Sequence, residues 1–452
     1  MLRLLSRCAA VWWSAALAAV MLAPAAGLAD PTQLPGGANG VADLKRAVSE
    51  TETKEKFTKL LRGETKPGPD DQKVLDTFAQ WYIYRMTWVE EIQGKRGASQ
   101  TVIKELESRV KEILAPEEVA KRQEFLKQFT GRMIASFRDV LSLDPRENRV
   151  ALVNTAQLLP IYAKTKEIAF GEYLTQLLQD EKQHLIVKLY AVKALREYLP
   201  GRPLLETEDP TDKTILDRIA RQTRWLQTLL TFIDRDWEKI PDVTPEAGRF
   251  IRREAIGTLA HVEAPAMQVV KGGKVEAPAA YLLLRVLAPG KNALSSPPPS
   301  LSERGEAALG VCRLKPGLIK EYQPEVGYYF VGQYLLDFMK EYVKDTPNLK
   351  TAGKVPLLPW KAEAARFDQA LNQALKEWDD LVGKDKAAEN PVAKKFKAMA
   401  EEAKRQLAQM KMLNRSIDTR VLQTAVNALR PANGLLFRGV PELTIDLTAG
   451  AD

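Results

Sequence analysis

Apolar residues recur at helical spacing along most of the chain. Val74, Phe78, Tyr82, Met86 and Val89 fall on one face of a helix predicted over 71–93. Val102, Leu106, Val110, Ile113 and Leu114 do the same over 101–114. A helix following Pro116 uses Val119, Leu126, Phe129, Met133, Phe137 and Val140, and runs to about Leu141. Asp144-Pro145-Arg146-Glu147 is a helix start: Asp144 caps, Pro145 takes the first helical position, and Glu147 completes a capping box. Further helices are predicted over 145–158, 163–178, 182–198, 212–239, 245–260, 277–287 and 301–313, the last opened by a Ser300/Glu303 box. Residues 322–342 read as helical in their second half, and 360–382 and 391–429 as two long amphipathic helices. A short helix is expected over 42–62, with Leu44, Val48, Phe57 and Leu60 as its apolar positions. Only Leu443–Leu447 has a strand-like run. Strands do not alternate with helices, so the chain is expected to be all-α.

The breaks divide this pattern. Residues 30–70 form a Pro/Gly-rich leader with a short helix, 71–143 an N-terminal helical region, and 144–342 a central helical region. A Pro/Lys connector over 343–359 leads to the long helices of 360–430 and a tail over 431–452. Residues 1–29 have a different pattern. Arg3 and Arg7 precede the apolar run from Cys8 to Ala23, and small residues lead to Ala29. This is the order of a secretory signal peptide cut after Ala29. The competing reading is an uncleaved anchor over residues 8–29, since that run is long enough to span a bilayer. Cleavage would lower the net charge of +8 by two and leave Cys312 as the single thiol.

Four segments share a motif. They begin at Asn148, Val187, Ile251 and Arg304, and each has a basic or polar start, a small residue and a Leu or aliphatic pair. Ala191, Ala255 and Ala308 would let helices approach closely, while Leu195 and Leu259 would fill a shared core. Ile186-Val187-Lys188-Leu189-Tyr190-Ala191-Val192-Lys193-Ala194-Leu195 and Ile251-Arg252-Arg253-Glu254-Ala255-Ile256-Gly257-Thr258-Leu259 are the best examples. They resemble the second helix of the HEAT repeat, and the resemblance covers roughly 145–315 with an irregular period. It implies an irregular HEAT-like α-solenoid of stacked antiparallel helix pairs, with a concave surface that commonly holds another protein. The rival reading is a helical domain whose Ala/Leu faces converge by ordinary packing.

Composition narrows the chemistry. With 2 His and 2 Cys, a disulfide scaffold and a zinc finger are excluded. His184 reads as a solvated residue or a helix cap, and His261 as a cation suited to a helix end. They share no ligand spacing, and no nucleotide-binding, metalloprotease or nucleophile-elbow motif is present. Gly272-Gly273-Lys274 reads as a turn. Acid pairs occur at Asp234/Asp236, Glu90/Glu91 and Asp379/Asp380, with Trp81, Tyr84, Trp88 and Trp378 nearby. Two acids across a cleft beside stacking aromatics would suit a glycosidase, but a helix core or protein-contact surface is the favoured account of them. The basic run Lys394, Lys395, Lys397, Lys404, Arg405 and Lys411 is interleaved with Glu401 and Glu402, so it reads as a solvated face rather than a nucleic-acid site. Tyr328-Tyr329-Phe330 and Trp360 read as packing anchors.

These readings combine into an expectation of an exported, non-enzymatic binding or scaffolding module, in the bacterial periplasm or secreted. Another protein would occupy the repeat surface, with weak contact to anionic envelope surfaces. No catalytic, cofactor or metal residues are assigned, no cofactor is expected, and no nucleic-acid partner is expected. Two alternatives remain open: a carboxylate-dependent hydrolase of an envelope or extracellular polysaccharide, and a structural protein anchored through residues 8–29.

Overall fold

A computed structural model describes residues 37–88, 97–115, 119–199, 212–240, 243–270, 274–288, 294, 297–345, 359–382, 390–412 and 417–447. The signal segment, Glu90, Glu91, Gly272 and Gly273 lie outside these residues. Among the described residues the chain is all-helical, apart from a hairpin of β1 (Gln268–Val270) and β2 (Lys274–Glu276), antiparallel with Val269 opposite Val275. It divides into two compact units after Glu167. That division falls inside the 144–342 stretch expected as one region.

The first unit contains α1 (Gly37–Ser49), α2 (Thr51–Leu61), α3 (Gln72–Tyr84), α4 (Ala98–Ile113), α5 (Val119–Leu141), α6 (Pro145–Ala156) and α7 (Leu159–Tyr162). Its core is aromatic. Phe57 of α2 stacks on Phe78 of α3 at 3.7 Å between centroids, and Phe125 and Phe129 of α5 close around Phe57. Arg122 of α5 donates to the Glu112 and Ala115 carbonyls at 2.9 and 3.0 Å, placing a cation on the last turn of α4 and just beyond it. Asp144 caps α6 as expected, but it accepts from the Arg146 amide, two residues on, at 2.9 Å.

The second unit contains α8 (Ile168–Gln179), α9 (Leu185–Leu195), α10 (Lys213–Ile233), α11 (Pro245–Leu259), α12 (Ala279–Leu287), α13 (Leu301–Arg313), α14 (Pro324–Asp345), α15 (Trp360–Val382), α16 (Pro391–Lys411) and α17 (Arg420–Leu429). Two rows organise it. In one, α8, α10, α12 and α14 each pack on the next; in the other, α9, α11, α13 and α15 do the same. The rows join through α8–α9, α10–α11 and α12–α13, while α16 pairs with α15 and α17 packs on α14 and α16. Ala191, Ala255, Ala308, Leu195 and Leu259, singled out by the repeated motif, are all buried. Thr244 caps α11 through the Ala247 amide, and Ser300 and Glu303 form the expected capping box on α13.

Several helix limits differ from the sequence pattern. The helix expected over 163–178 is interrupted: Lys166 has φ 56°, and α8 begins only at Ile168. The helix over 212–239 stops at Ile233, after which Asp236 caps a separate turn, Trp237–Lys239. The segment 391–429 is two helices rather than one, because the apolar face of α17 (Leu422, Val426, Leu429) turns back onto α14. Conversely, α14 is helical from Pro324. Its Gly332 lowers helix propensity, but a Cβ there would come within 2.7 Å of Val426, so the glycine is what admits α17. The expected strand 443–447 is absent. A 3-10 turn, Pro441–Leu443, leads into a single bridge between Thr444 and Leu435.

Candidate functional site

The row α9–α11–α13–α15 presents a band of charge that crosses from helix to helix. Lys193 of α9 reaches Glu254 of α11 at 3.4 Å. Arg253, the next residue on α11, reaches Glu306 of α13 at 3.2 Å. Arg366 of α15 grips the same carboxylate with two nitrogens, at 2.7 and 3.0 Å, and also holds Glu363 at 3.0 Å. Helical periodicity explains the placement. Arg252 points into the core and is fully buried, so its neighbour Arg253 falls on the outer side of α11.

Glu306 is the hub. Its side chain is 12% exposed. Burial alone would raise its pKa, but the Arg366 hydrogen bond and charge, with those of Arg253, hold it below the usual carboxylate range. It is therefore a fixed anion at neutral pH.

Two further arginines stand beside it. Arg313, the last residue of α13, donates to the Ala260 carbonyl at 3.1 Å and faces His261 Nε2 at 3.5 Å. Arg196, just past α9, is exposed and has no ion pair among the described residues. Lys193, Arg196, Arg253, Arg313 and Arg366 stand against the carboxylates Glu197, Glu254, Glu306 and Glu363, so cations exceed acids by one along the band.

His261 corrects an expectation. Its sequence position suggested a cation at a helix end. Instead, its Nδ1 lies 2.7 Å from the Gly257 carbonyl, burial desolvates the ring, and Arg196 and Arg313 repel a proton. Its pKa falls to about 4, so it is neutral at pH 7 with Nδ1–H donating and Nε2 free to accept from Arg313.

The other residues marked by sequence lie apart from this band. His184 caps α9, its Nδ1 accepting from the Ile186 amide at 3.2 Å. Cys312 is fully buried, and burial pushes its thiol up to about 12. Asp234 is held by both terminal nitrogens of Arg285, at 2.7 and 3.1 Å, while Asp236 caps its turn and pairs with Lys239. Asp379 is half-buried and Asp380 exposed, near the end of α15. Among the aromatics, Trp81 is covered by the Arg85 guanidinium at 4.3 Å, and the Tyr84 hydroxyl donates to Asp139 at 2.6 Å. Trp378 donates to the Tyr328 hydroxyl, Tyr328 stacks on Phe396 at 3.8 Å, and Trp360 packs on Phe338 and Tyr342. In the basic run, Lys394, Lys395 and Lys397 are exposed, Arg405 pairs with Glu402, and Lys411 with Asp368.

Among the described residues, no group of three or more His, Cys, Asp or Glu could hold a metal ion. No helix among them is long and apolar enough to cross a membrane. The Arg/Glu band itself escaped the sequence reading. Its ion pairs join residues 53 and 60 apart, and an arginine on a helix is unremarkable until its neighbour across the row is known.

In comparisons with protein-family models, curated proteins and solved structures, nothing matches.

Proposed function

We propose that this protein is an exported, non-enzymatic binding or scaffolding module, built as an irregular HEAT-like α-solenoid. Its partner would be another protein, received on the row α9–α11–α13–α15. The observation that carries the reading is the line of four arginines along that row, Arg196, Arg253, Arg313 and Arg366. Arg196 is exposed without an ion pair among the described residues, beside a Glu306 already shared by two guanidinium groups. An arginine-rich stretch aligned across several helices suits recognition of an acidic partner, because guanidinium groups bind carboxylates bidentately and steer their approach. The paired succession of helices with buried Ala and Leu supports the repeat reading.

The experiment compares wild type with Arg196→Glu and Arg366→Glu on immobilised protein exposed to a cell-envelope extract, with bound proteins quantified by mass spectrometry. A defined set of proteins that is enriched by wild type and lost by Arg196→Glu supports the reading. Identical sets for all three proteins would sink it.

A further inference from the structure

Sulfur chemistry separates one residue at the end of α16 from the rest of the chain. The apolar stripe of α16 runs through Phe396, Met399, Ala403, Leu407 and Met410, all buried, on a helix that packs against α14, α15 and α17. Met412 stands two residues past Met410, and at about 100° per residue it falls on the opposite side of the helix. It is 79% exposed. Its amide still donates to the Ala408 and Gln409 carbonyls, at 3.3 and 3.1 Å. The backbone is therefore held while the thioether stands in water.

The other sulfurs are out of reach. Met86, Met133, Met267, Met339, Met399 and Met410 are each at most 2% exposed. Cys312 is fully buried and stays a protonated thiol at neutral pH. Among the described residues, Met412 is thus the single sulfur open to solvent. An oxidant must reach a sulfur lone pair, so exposure sets the order of attack. The product matters as much. A sulfoxide is polar and accepts hydrogen bonds, and in the core, at Met399 or Met410, it would be a buried acceptor without a donor. At Met412 water solvates it.

We propose that Met412 is a reversible oxidation site whose reactant is a small hydroperoxide, such as hydrogen peroxide. The Met412 sulfur lone pair attacks the peroxide oxygen. An S–O bond forms and the O–O bond breaks. The sulfur gives up an electron pair and becomes a sulfoxide, and hydrogen peroxide is reduced to water. A dithiol-driven sulfoxide reductase reverses the step: the oxygen leaves as water and the dithiol becomes a disulfide. Because the Met412 side chain adds little to the packing of α16, the chain carries its first oxygen without loss of fold. This site is independent of the arginine band and of the partner proposed for it.

The test is a time course of the full chain at pH 7 with excess hydrogen peroxide, quenched with catalase and read by peptide mass spectrometry. Met412 should gain oxygen at least about tenfold faster than any buried methionine, and in denaturant that difference should vanish. Met412→Leu should remove the fast phase and leave the slow ones. Chain oxidised at Met412 alone should unfold within about 1 °C of the untreated Tm, and a sulfoxide reductase with its dithiol should restore the unmodified mass. Equal rates at Met412 and Met410 in the folded chain, or a fast phase that survives Met412→Leu, overturns the proposal. So does a larger fall in Tm at the first oxygen, or a sulfoxide that the reductase leaves in place. The comparison of folded with denatured wild type needs no variant.

Discussion

Arg252 of α11 and Glu303 of α13 meet at 2.5 Å with neither side chain exposed to solvent. The pair does more than join two helices. The Glu303 carboxylate also accepts from the Ser300 amide and hydroxyl, and Arg252 donates to the Pro297 carbonyl. One buried ion pair thus fixes the helix contact, the cap of α13 and the chain leading into it. Removing one partner leaves the other charged and buried. Arg252→Met and Glu303→Gln should each lower stability by about 3–5 kcal/mol, read as the midpoint of urea unfolding. A double replacement by apolar residues of similar volume should lose less than the sum of the two single changes. Additive losses would contradict the coupling.

His261 predicts a pH dependence. Its folded pKa of about 4 lies below the ordinary 6.5. The unfolded chain therefore takes up the proton first as pH falls, and the folded state resists. Stability from this group is complete above about pH 6.5 and is lost progressively down to about pH 4, by roughly 2–3 kcal/mol. His261→Gln should flatten that part of the profile. Parallel unfolding profiles for the two proteins between pH 7 and 4 would contradict it.

Gly310 marks a close approach of α13 to the end of α11. A Cβ there would lie 2.9 Å from the Ala260 Cα and 3.0 Å from Leu283 Cδ1. The backbone atom cannot move aside as a side-chain tip would. Gly310→Ala should cost about 1–3 kcal/mol despite alanine's better helix propensity. Gly131→Ala, in α5 with open space around it, should be neutral or slightly stabilising by the same measurement.

Cys312 should be chemically inert. It is fully buried, and its pKa near 12 leaves almost no thiolate at pH 7. A thiol reagent should label it only in denaturant. Stoichiometric labelling of the folded protein would place the thiol at a surface.

What the sequence revealed depended on how local the determining interaction was. The starts of α6, α11 and α13 were legible because Asp144, Thr244 and Ser300 act on amides two or three residues away. The buried alanines of α9, α11 and α13 were legible because each repeats a spacing within one helix. The turn-back of α17 and the full length of α14 were not, since each answers to a neighbour distant in sequence. The candidate band is the extreme case. Arg253 and Glu306 each look like an ordinary solvated residue on a single helix, and only the packing of α11 on α13 pairs them.

That pairing has a mechanical consequence. The ion pairs across the row tie each helix to the next in turn: α9 to α11 by Lys193–Glu254, α11 to α13 by Arg253–Glu306, and α13 to α15 by Glu306–Arg366. None of these pairs spans two steps. A tensile load applied along the row would meet a series of links rather than one clasp. The weakest single pair is Lys193–Glu254, partly exposed and at 3.4 Å, while the buried Arg252–Glu303 contact reinforces the link beyond it. Under force, extension should begin between α9 and α11, and the α11–α13 link, held also by the buried pair, should yield last, so that the row gives way link by link.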